Sequence, residues 1–252
     1  MIYQRAKAQK VQRELRWPLL GTVTAPLVLG CSAVYMYRLS GSGTAVAMSL
    51  SFLTIGLLAC TALILMHQRE EVSLYAAGVA LVFAAAFLAV LLPGTGSVYV
   101  DAAMMVVTAG GAAVLFLRRV EMPELGERLL RESSVLVVLA LPVGLATAEA
   151  LFLGLRFWES FHMSPSTVFL VPLMAAWGFI EEGLFRGVLL RSSVPLLGKS
   201  GALVLSSFLY ASFMLLWGSL PFAMFSFFFG LLLGYIYLRS RSLMYVGTIH
   251  AL

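Results

Sequence analysis

Long apolar runs recur along this chain, and they constrain its fold more than any other feature. A run of about 20 residues, as a helix rising 1.5 Å per residue, crosses a hydrocarbon core of about 30 Å. Only 12% of the residues are charged and 61% are hydrophobic, whereas soluble domains carry about 25% charged residues. Too few polar side chains remain to cover a water-exposed surface. We therefore predict an all-α fold, a polytopic transmembrane helical bundle.

The apolar runs predict about eight membrane spans and a shorter, truncated C-terminal helix. The spans cover approximately residues 18–37, 44–66, 73–92, 98–117, 135–155, 168–190, 201–217 and 220–238. The last apolar stretch runs from Leu243 to Leu252, which as a helix is about 15 Å long, or half of a bilayer core. A chain that ended there would leave unpaired carbonyls in hydrocarbon. Either the natural protein continues beyond Leu252, as we expect, or neighbouring helices shelter this last helix.

Lysine and arginine are distributed very unevenly among the segments between the spans. With the N-terminus in the cytoplasm, only Arg38 and Arg156 of the 17 basic residues fall on the outer side. Positive charge is retained on the cytoplasmic side of membrane proteins, so the sequence predicts a multi-pass protein of the cell membrane with its N-terminus inside. The net charge of +5 is then explained by basic residues that lie beside anionic lipid. We predict membrane lipid as a partner and no nucleic acid, because no soluble domain carries a basic face.

The longest segment between spans divides the chain into two predicted parts. It runs from Arg118 to Ser134 and is expected to form a short amphipathic helix at the membrane interface. Residues 1–134 would comprise a cytoplasmic arm and four transmembrane helices, and residues 135–252 a C-terminal domain. Cys31 and Cys60 lie inside spans and are expected to pack as small apolar side chains.

The predicted span 168–190 contains three ionisable residues, Glu181, Glu182 and Arg186. Charge inside a membrane span is costly and usually faces a functional cavity. Glu182 and Arg186 are i,i+4 neighbours on a helix and are expected to pair. Glu181 is rotated by about 100° from Glu182, so we expect its carboxylate to point elsewhere and to remain free for chemistry. The alternative is an ion cluster that only anchors the cytoplasmic end of the helix.

The segment around the two glutamates resembles the EExxxR signature of the CPBP intramembrane protease family, which includes CAAX prenyl endopeptidases and bacteriocin-immunity homologues. Residues 205–214 resemble the family's second motif, an aromatic residue followed four later by histidine, with Tyr210 as the aromatic residue. Residues 228–250 resemble the approach to its third motif, whose histidine would be His250. The resemblance covers about residues 165–252.

The resemblance implies roles for the matching residues. Glu181 would be the general base that activates water, Glu182 and Arg186 would complete the first motif, and His250 would stabilise an oxyanion or act as a ligand. This chain has Met214 where the second motif has histidine, and the polar residue of the third motif would fall at position 254, outside the sequence. General acid–base groups typically contribute 10²–10⁴-fold to rate, so we predict hydrolysis that is weak or lost.

No cofactor is predicted for this site. Glu181, Glu182 and His250 would offer three ligands to a divalent metal, but a thioether at Met214 suits zinc hydrolysis poorly. A metal is therefore the less favoured alternative, and Met214 is expected to be an ordinary packing residue. His250 lies about 12 Å along its helix, at a depth similar to that of Glu181. Its alternative role is a hydrogen bond to a neighbouring helix.

The other polar landmarks are assigned to places outside this site. His67 falls in an inner loop and His162 in an outer segment, so neither is expected to supply the absent histidine. Glu149 is either a buried hydrogen-bonding group or part of a polar outer cavity, and both interpretations stay open. Gly230 and Gly234 form a GxxxG spacing that is expected to pack helices without taking part in chemistry.

Two classes of function fit these features. The first is an intramembrane endopeptidase of the CAAX-protease type that hydrolyses a peptide or membrane-protein substrate near the cytoplasmic membrane face. The second is a non-catalytic membrane scaffold or immunity-type protein that binds a partner in the same place. A transporter is a weaker third option, supported only by the intramembrane charges.

Overall fold

The structure is a computed structural model that describes residues 2–66, 70–91, 111, 135–153, 165–217 and 220–251. The described part of the chain is helical except for short turns. The helices are α1 (Ile2–Ser40), α2 (Gly43–Met66), α3 (Glu70–Leu91), α4 (Val135–Leu153), α5 (Pro165–Glu182), α6 (Arg191–Met214), α7 (Leu220–Ser240) and α8 (Leu243–Ala251). A π-helical segment, Gly183–Leu190, joins α5 to α6, and a 3₁₀ turn, Leu215–Trp217, follows α6.

Five stretches among the described helices are long and apolar enough to cross a membrane. They are Leu20–Tyr37, Gly43–Met66, Glu70–Leu88, Ala175–Met214 and Leu220–Ser240, and Ala140–Leu151 is a shorter apolar helix. Together they confirm the predicted fold class, a polytopic helical membrane bundle. The predicted spans 168–190 and 201–217 share one 40-residue apolar stretch. Gly198 interrupts this stretch with φ 76° and ψ 171°, a conformation that glycine adopts without steric cost.

Some predictions fall on residues that the structure does not describe. The predicted span 98–117, apart from residue 111, lies outside the described residues. The segment from Arg118 to Ser134, His67 and His162 also lie outside them. The division of the chain at residue 134 and the cytoplasmic N-terminus stay predictions.

The first three helices pack on one another through small residues. A Cβ at Gly30 would lie 2.6 Å from Leu53 Cδ2, and one at Gly56 would lie 1.9 Å from the tip of the Phe83 ring. Glycine at these positions therefore lets neighbouring helices approach closely, as is common between membrane helices. Cys31 and Cys60 are fully buried in this core, which confirms their predicted packing role.

The three-helix group supports the helix that carries the ionisable motif. α3 contacts the π-helical segment, and both α1 and α3 contact α6. A Cβ at Gly78 on α3 would lie 2.8 Å from Leu189 and 2.9 Å from Val188, so the two elements pack without room for a larger side chain. The π-helical segment is thereby held from one side by the N-terminal helices.

α6 and α7 form the closest helix pair in the C-terminal part. A Cβ at Gly230 would lie 3.1 Å from Ser207 Cβ, and one at Gly234 would lie 2.5 Å from Leu203 Cδ1. The predicted packing role of this GxxxG face is confirmed.

A tight turn after α7 directs α8 back toward α5. The amide of Arg241, which has φ 53°, donates to the Tyr237 carbonyl at 2.8 Å and closes the end of α7. Ser242 then caps α8, because its hydroxyl accepts the Tyr245 amide at 3.2 Å. A Cβ at Gly247 would lie 2.3 Å from Phe179 Cδ1. α8 therefore lies directly against α5, and this contact places His250 beside the end of α5.

Candidate active site

The ionisable motif sits where α5 passes into the π-helical segment. Glu181, Glu182 and Arg186 are 4%, 0% and 1% exposed. An ion cluster that anchored a helix end at the membrane interface would be open to water and headgroups, so this burial disfavours the anchoring interpretation. π-Helical turns are rare and occur frequently at functional sites. The burial and the local geometry make this region a candidate functional site.

Glu182 is held from two directions. Arg186 Nη1 lies 2.9 Å from Glu182 Oε1, which confirms the predicted i,i+4 pair. His250 Nδ1 lies 2.8 Å from the same oxygen. Arg186 Nη2 also donates to the Gly230 carbonyl at 3.4 Å. The guanidinium group thus links the motif to α7, while the imidazole links it to α8.

Glu181 is oriented differently, as its rotation on the helix predicts, but it is not free. The Tyr210 hydroxyl donates to Glu181 Oε2 at 3.1 Å, and His250 Nε2 lies 3.7 Å from the same oxygen. The prediction of an unengaged carboxylate was wrong, because the rotation turns Glu181 toward α6 and α8. Both polar contacts that the structure gives Glu181 are made by Oε2.

His250 lies between the two carboxylates, as its depth and motif position predict. Its side chain is 17% exposed, more than either glutamate. A Cβ at Gly178 would lie 3.4 Å from His250 Cγ, an ordinary van der Waals distance, so the ring packs directly beside α5. The Phe229 ring meets the imidazole edge-on at a centroid distance of 5.0 Å. When the imidazole is protonated, both of its nitrogens are donors.

Tyr210 connects the charged residues through its ring as well as its hydroxyl. Arg186 Cζ lies 4.9 Å from the ring centroid of Tyr210, within the range of a cation–π contact. Phe185 packs on the same ring at 4.9 Å in an edge-on arrangement. Of the two second-motif residues expected near the site, Tyr210 is thus in direct contact with it.

Met214 lies one helical turn beyond Tyr210 and is buried among apolar side chains of the core. Its exposure is 3%. This placement agrees with the packing role predicted for the thioether. The place of the family histidine is therefore filled by an apolar side chain.

Two polar contacts of the site were not predicted. The Ser206 hydroxyl donates to the Phe185 carbonyl, inside the π-helical segment, at 2.9 Å. The Gly230 carbonyl accepts from Arg186, so the prediction that this glycine only packs was incomplete. The sequence offered two hints of these contacts: the serine pair in the second motif, and the position of Gly230 in the middle of α7. Neither hint shows which group the residue bonds to, because that depends on how the helices pack.

Glu149 lies closer to the site than its position in α4 suggested. Leu141 and Leu145 pack against the apolar cluster around Val246 and Ile249. Glu149 follows Leu145 by four residues and so shares this helix face. It is half-buried, on the helix that contacts α8. Glu149 therefore lies on the face of α4 that packs on α8, the helix that carries His250.

Two buried polar atoms of the motif lack a hydrogen-bond partner among the described residues, Glu182 Oε2 and Arg186 Nη1. The latter is close enough to Glu182 for an ion pair, but its geometry is not that of a hydrogen bond. Buried polar groups without partners are costly, so these atoms suit a site that engages water or a substrate. Within the described residues, no group of three or more His, Cys, Asp and Glu side chains is arranged to hold a metal ion.

Comparison with known proteins identifies the family of this region. Residues 162–252 match the family model described as Rce1-like, type II CAAX prenyl endopeptidase Rce1-like. No curated protein and no solved structure matches the chain. The matched residues include Glu181, Glu182, Arg186 and His250, whose side chains the fold brings together. Residues 162–252 of this multi-pass membrane chain are thus similar to the CAAX protease family, as the glutamate motif predicts.

Proposed function

We propose that this protein is a membrane endopeptidase of the CAAX-protease type, with Glu181 as the base and with activity weakened by Met214. The observation that carries the proposal is the arrangement of Glu181 and His250. Two groups able to exchange protons lie 3.7 Å apart between Nε2 and Oε2. Glu182, which is paired with Arg186, contacts the other nitrogen of the imidazole, and this contact supports a fixed arrangement.

The proposed reaction uses one water molecule and one peptide bond. Glu181 takes a proton from the water while the water oxygen bonds to the carbonyl carbon of the peptide. His250 Nε2 donates a hydrogen bond to the oxygen that becomes negative. The proton on Glu181 then passes to the amide nitrogen as the carbon–nitrogen bond breaks, which leaves a free carboxyl and a free amine. Preorganised donors of this kind commonly contribute 10²–10³-fold in rate.

The substrate class follows from where the site lies. Glu181 is about 14 Å from the Leu190 end of its predicted span, on the side where basic residues predominate. We propose that the substrate is a peptide or membrane protein whose scissile bond enters near the cytoplasmic face. The matching family model is described as a type II CAAX prenyl endopeptidase. A prenylated CAAX peptide is therefore the first substrate to test.

The test is to restore the absent histidine. The complete chain and its Met214→His variant are reconstituted in lipid vesicles with the prenylated peptide, and products are quantified by mass spectrometry. We expect Met214→His to raise turnover at least about tenfold and Glu181→Gln to remove the gain. The same peptide without its prenyl group shows whether the lipid is recognised. Cleavage by the unmodified chain that survives Glu181→Gln would show that the base is misplaced.

A non-catalytic scaffold is the second candidate, and the burial of Met214 favours it. An apolar side chain in place of the histidine leaves the water with one fewer positioning group. In this case the wild type and Glu181→Gln would bind a membrane peptide equally, and neither they nor Met214→His would turn it over.

A further inference from the structure

α6 carries Met214 where the second motif has histidine, but the same helix presents the hydroxyl of Tyr210 to Glu181. Met214 is 3% exposed and packs in the apolar core. One turn earlier, the hydroxyl of Tyr210 reaches Glu181 Oε2 at 3.1 Å.

The tyrosine ring is held so that its hydroxyl cannot easily turn away. Phe185 packs edge-on against it at 4.9 Å, and the Arg186 guanidinium lies 4.9 Å from its centroid. The His250 ring lies edge-on to it at 6.4 Å. Tyr210 is 3% exposed, so water does not compete for its hydrogen bond.

We propose that Tyr210 takes over from the missing histidine as the positioning residue of Glu181. The phenol donates to Oε2 and thereby orients the carboxylate, and Oε1 is the oxygen that accepts the proton from water. A phenol that donates to a carboxylate cannot also accept a proton from the attacking water. Tyr210 therefore orients the base without assisting it, which agrees with the weakened activity proposed above. This inference rests on the proposed function.

The first test compares the removal of the hydroxyl in two backgrounds. In the wild-type chain, Tyr210→Phe should lower turnover of the prenylated peptide by about 10- to 100-fold, as expected for one hydrogen bond to a charged group. In the Met214→His background, where the histidine again positions Glu181, the same change should cost less than about threefold. A merely structural tyrosine would cost the same factor in both backgrounds, and that result would overturn the proposal.

The second test does not depend on activity. Dicyclohexylcarbodiimide reacts with protonated carboxyl groups in membranes, and a hydrogen bond to a carboxylate favours its charged form. Labelling of Glu181, measured by mass spectrometry, should therefore accelerate several-fold in Tyr210→Phe. Tyr245→Phe is the matched control, because Tyr245 is buried on α8 but does not contact Glu181; it should leave the rate unchanged.

The two tests separate the two proposals. If Met214→His cleaves no peptide and Tyr210→Phe still accelerates labelling of Glu181, the endopeptidase proposal fails while the positioning role of Tyr210 stands. If Tyr210→Phe leaves labelling unchanged, the hydroxyl does not hold Glu181 and this inference is wrong, whatever the peptide assay gives.

Discussion

His250 Nδ1 lies 2.8 Å from Glu182 Oε1, although 68 residues separate the two in sequence. The contact joins α8 to the end of α5, and it places His250 Nε2 beside Glu181. The packing of α8 on α5 is therefore what brings His250 to the two glutamates.

The fit of α8 on α5 depends on Gly247. We expect Gly247→Ala to destabilise the protein by about 1–3 kcal/mol, because its Cβ would lie 2.3 Å from Phe179 Cδ1. Thermal unfolding in detergent measures the change. Gly183→Ala is the matched control, since nothing lies within 4 Å of a Cβ at that position. Equal stability of the two variants would contradict the described packing of α8.

The Glu182–Arg186 pair is buried, so replacing one partner should lower the stability of the protein more than replacing both. Arg186→Met leaves Glu182 fully buried without its guanidinium and should destabilise the protein by about 3–5 kcal/mol. The double variant Glu182→Gln, Arg186→Met should recover part of this loss. Unfolding of the two single variants and the double variant in detergent gives the coupling energy. Additive effects would show that the two side chains do not interact.

The Ser206 hydroxyl on α6 forms a hydrogen bond to the π-helical segment, and Ser206→Ala should remove this bond. The expected cost is about 1 kcal/mol, because the Phe185 carbonyl loses a buried donor. Ser212→Ala is the control, since the Ser212 hydroxyl donates to the Phe208 carbonyl of its own helix. Hydrogen exchange at the amides of residues 183–190 should increase in Ser206→Ala and stay unchanged in the control. The reverse pattern would refute the role of Ser206.

Glu149 should influence the site without supporting the fold. It is half-buried on α4, so Glu149→Gln is expected to change stability by less than about 0.5 kcal/mol. Because α4 packs on α8, loss of the Glu149 charge should alter turnover of the Met214→His variant by about two- to fivefold, as a charge interaction through partly solvated protein allows. Glu71→Gln, an exposed acid at the start of α3, is the control. Identical turnover in both variants would remove Glu149 from the site.

Local sequence patterns were sufficient for part of this description. Long apolar runs predicted the helical membrane bundle because a segment in lipid has to satisfy its backbone polar groups internally. The Glu182–Arg186 pair followed from i,i+4 spacing, which depends only on helix geometry. The order of glutamates, aromatic residue and histidine predicted the family, and the match over residues 162–252 confirms it.

Other features depend on how distant segments pack. The turn at Gly198 returns the chain so that Tyr210 faces Glu181, and the capped turn at Ser242 brings His250 to Glu182. The Gly230 carbonyl could not be recognised as a partner of Arg186 because every residue has a carbonyl, and only helix packing brings this one to the guanidinium. The sequence alone determined which residues carry charge in the membrane. Which atoms those charges meet was decided by the tertiary structure, because contacts between helices depend on side-chain packing along their whole length.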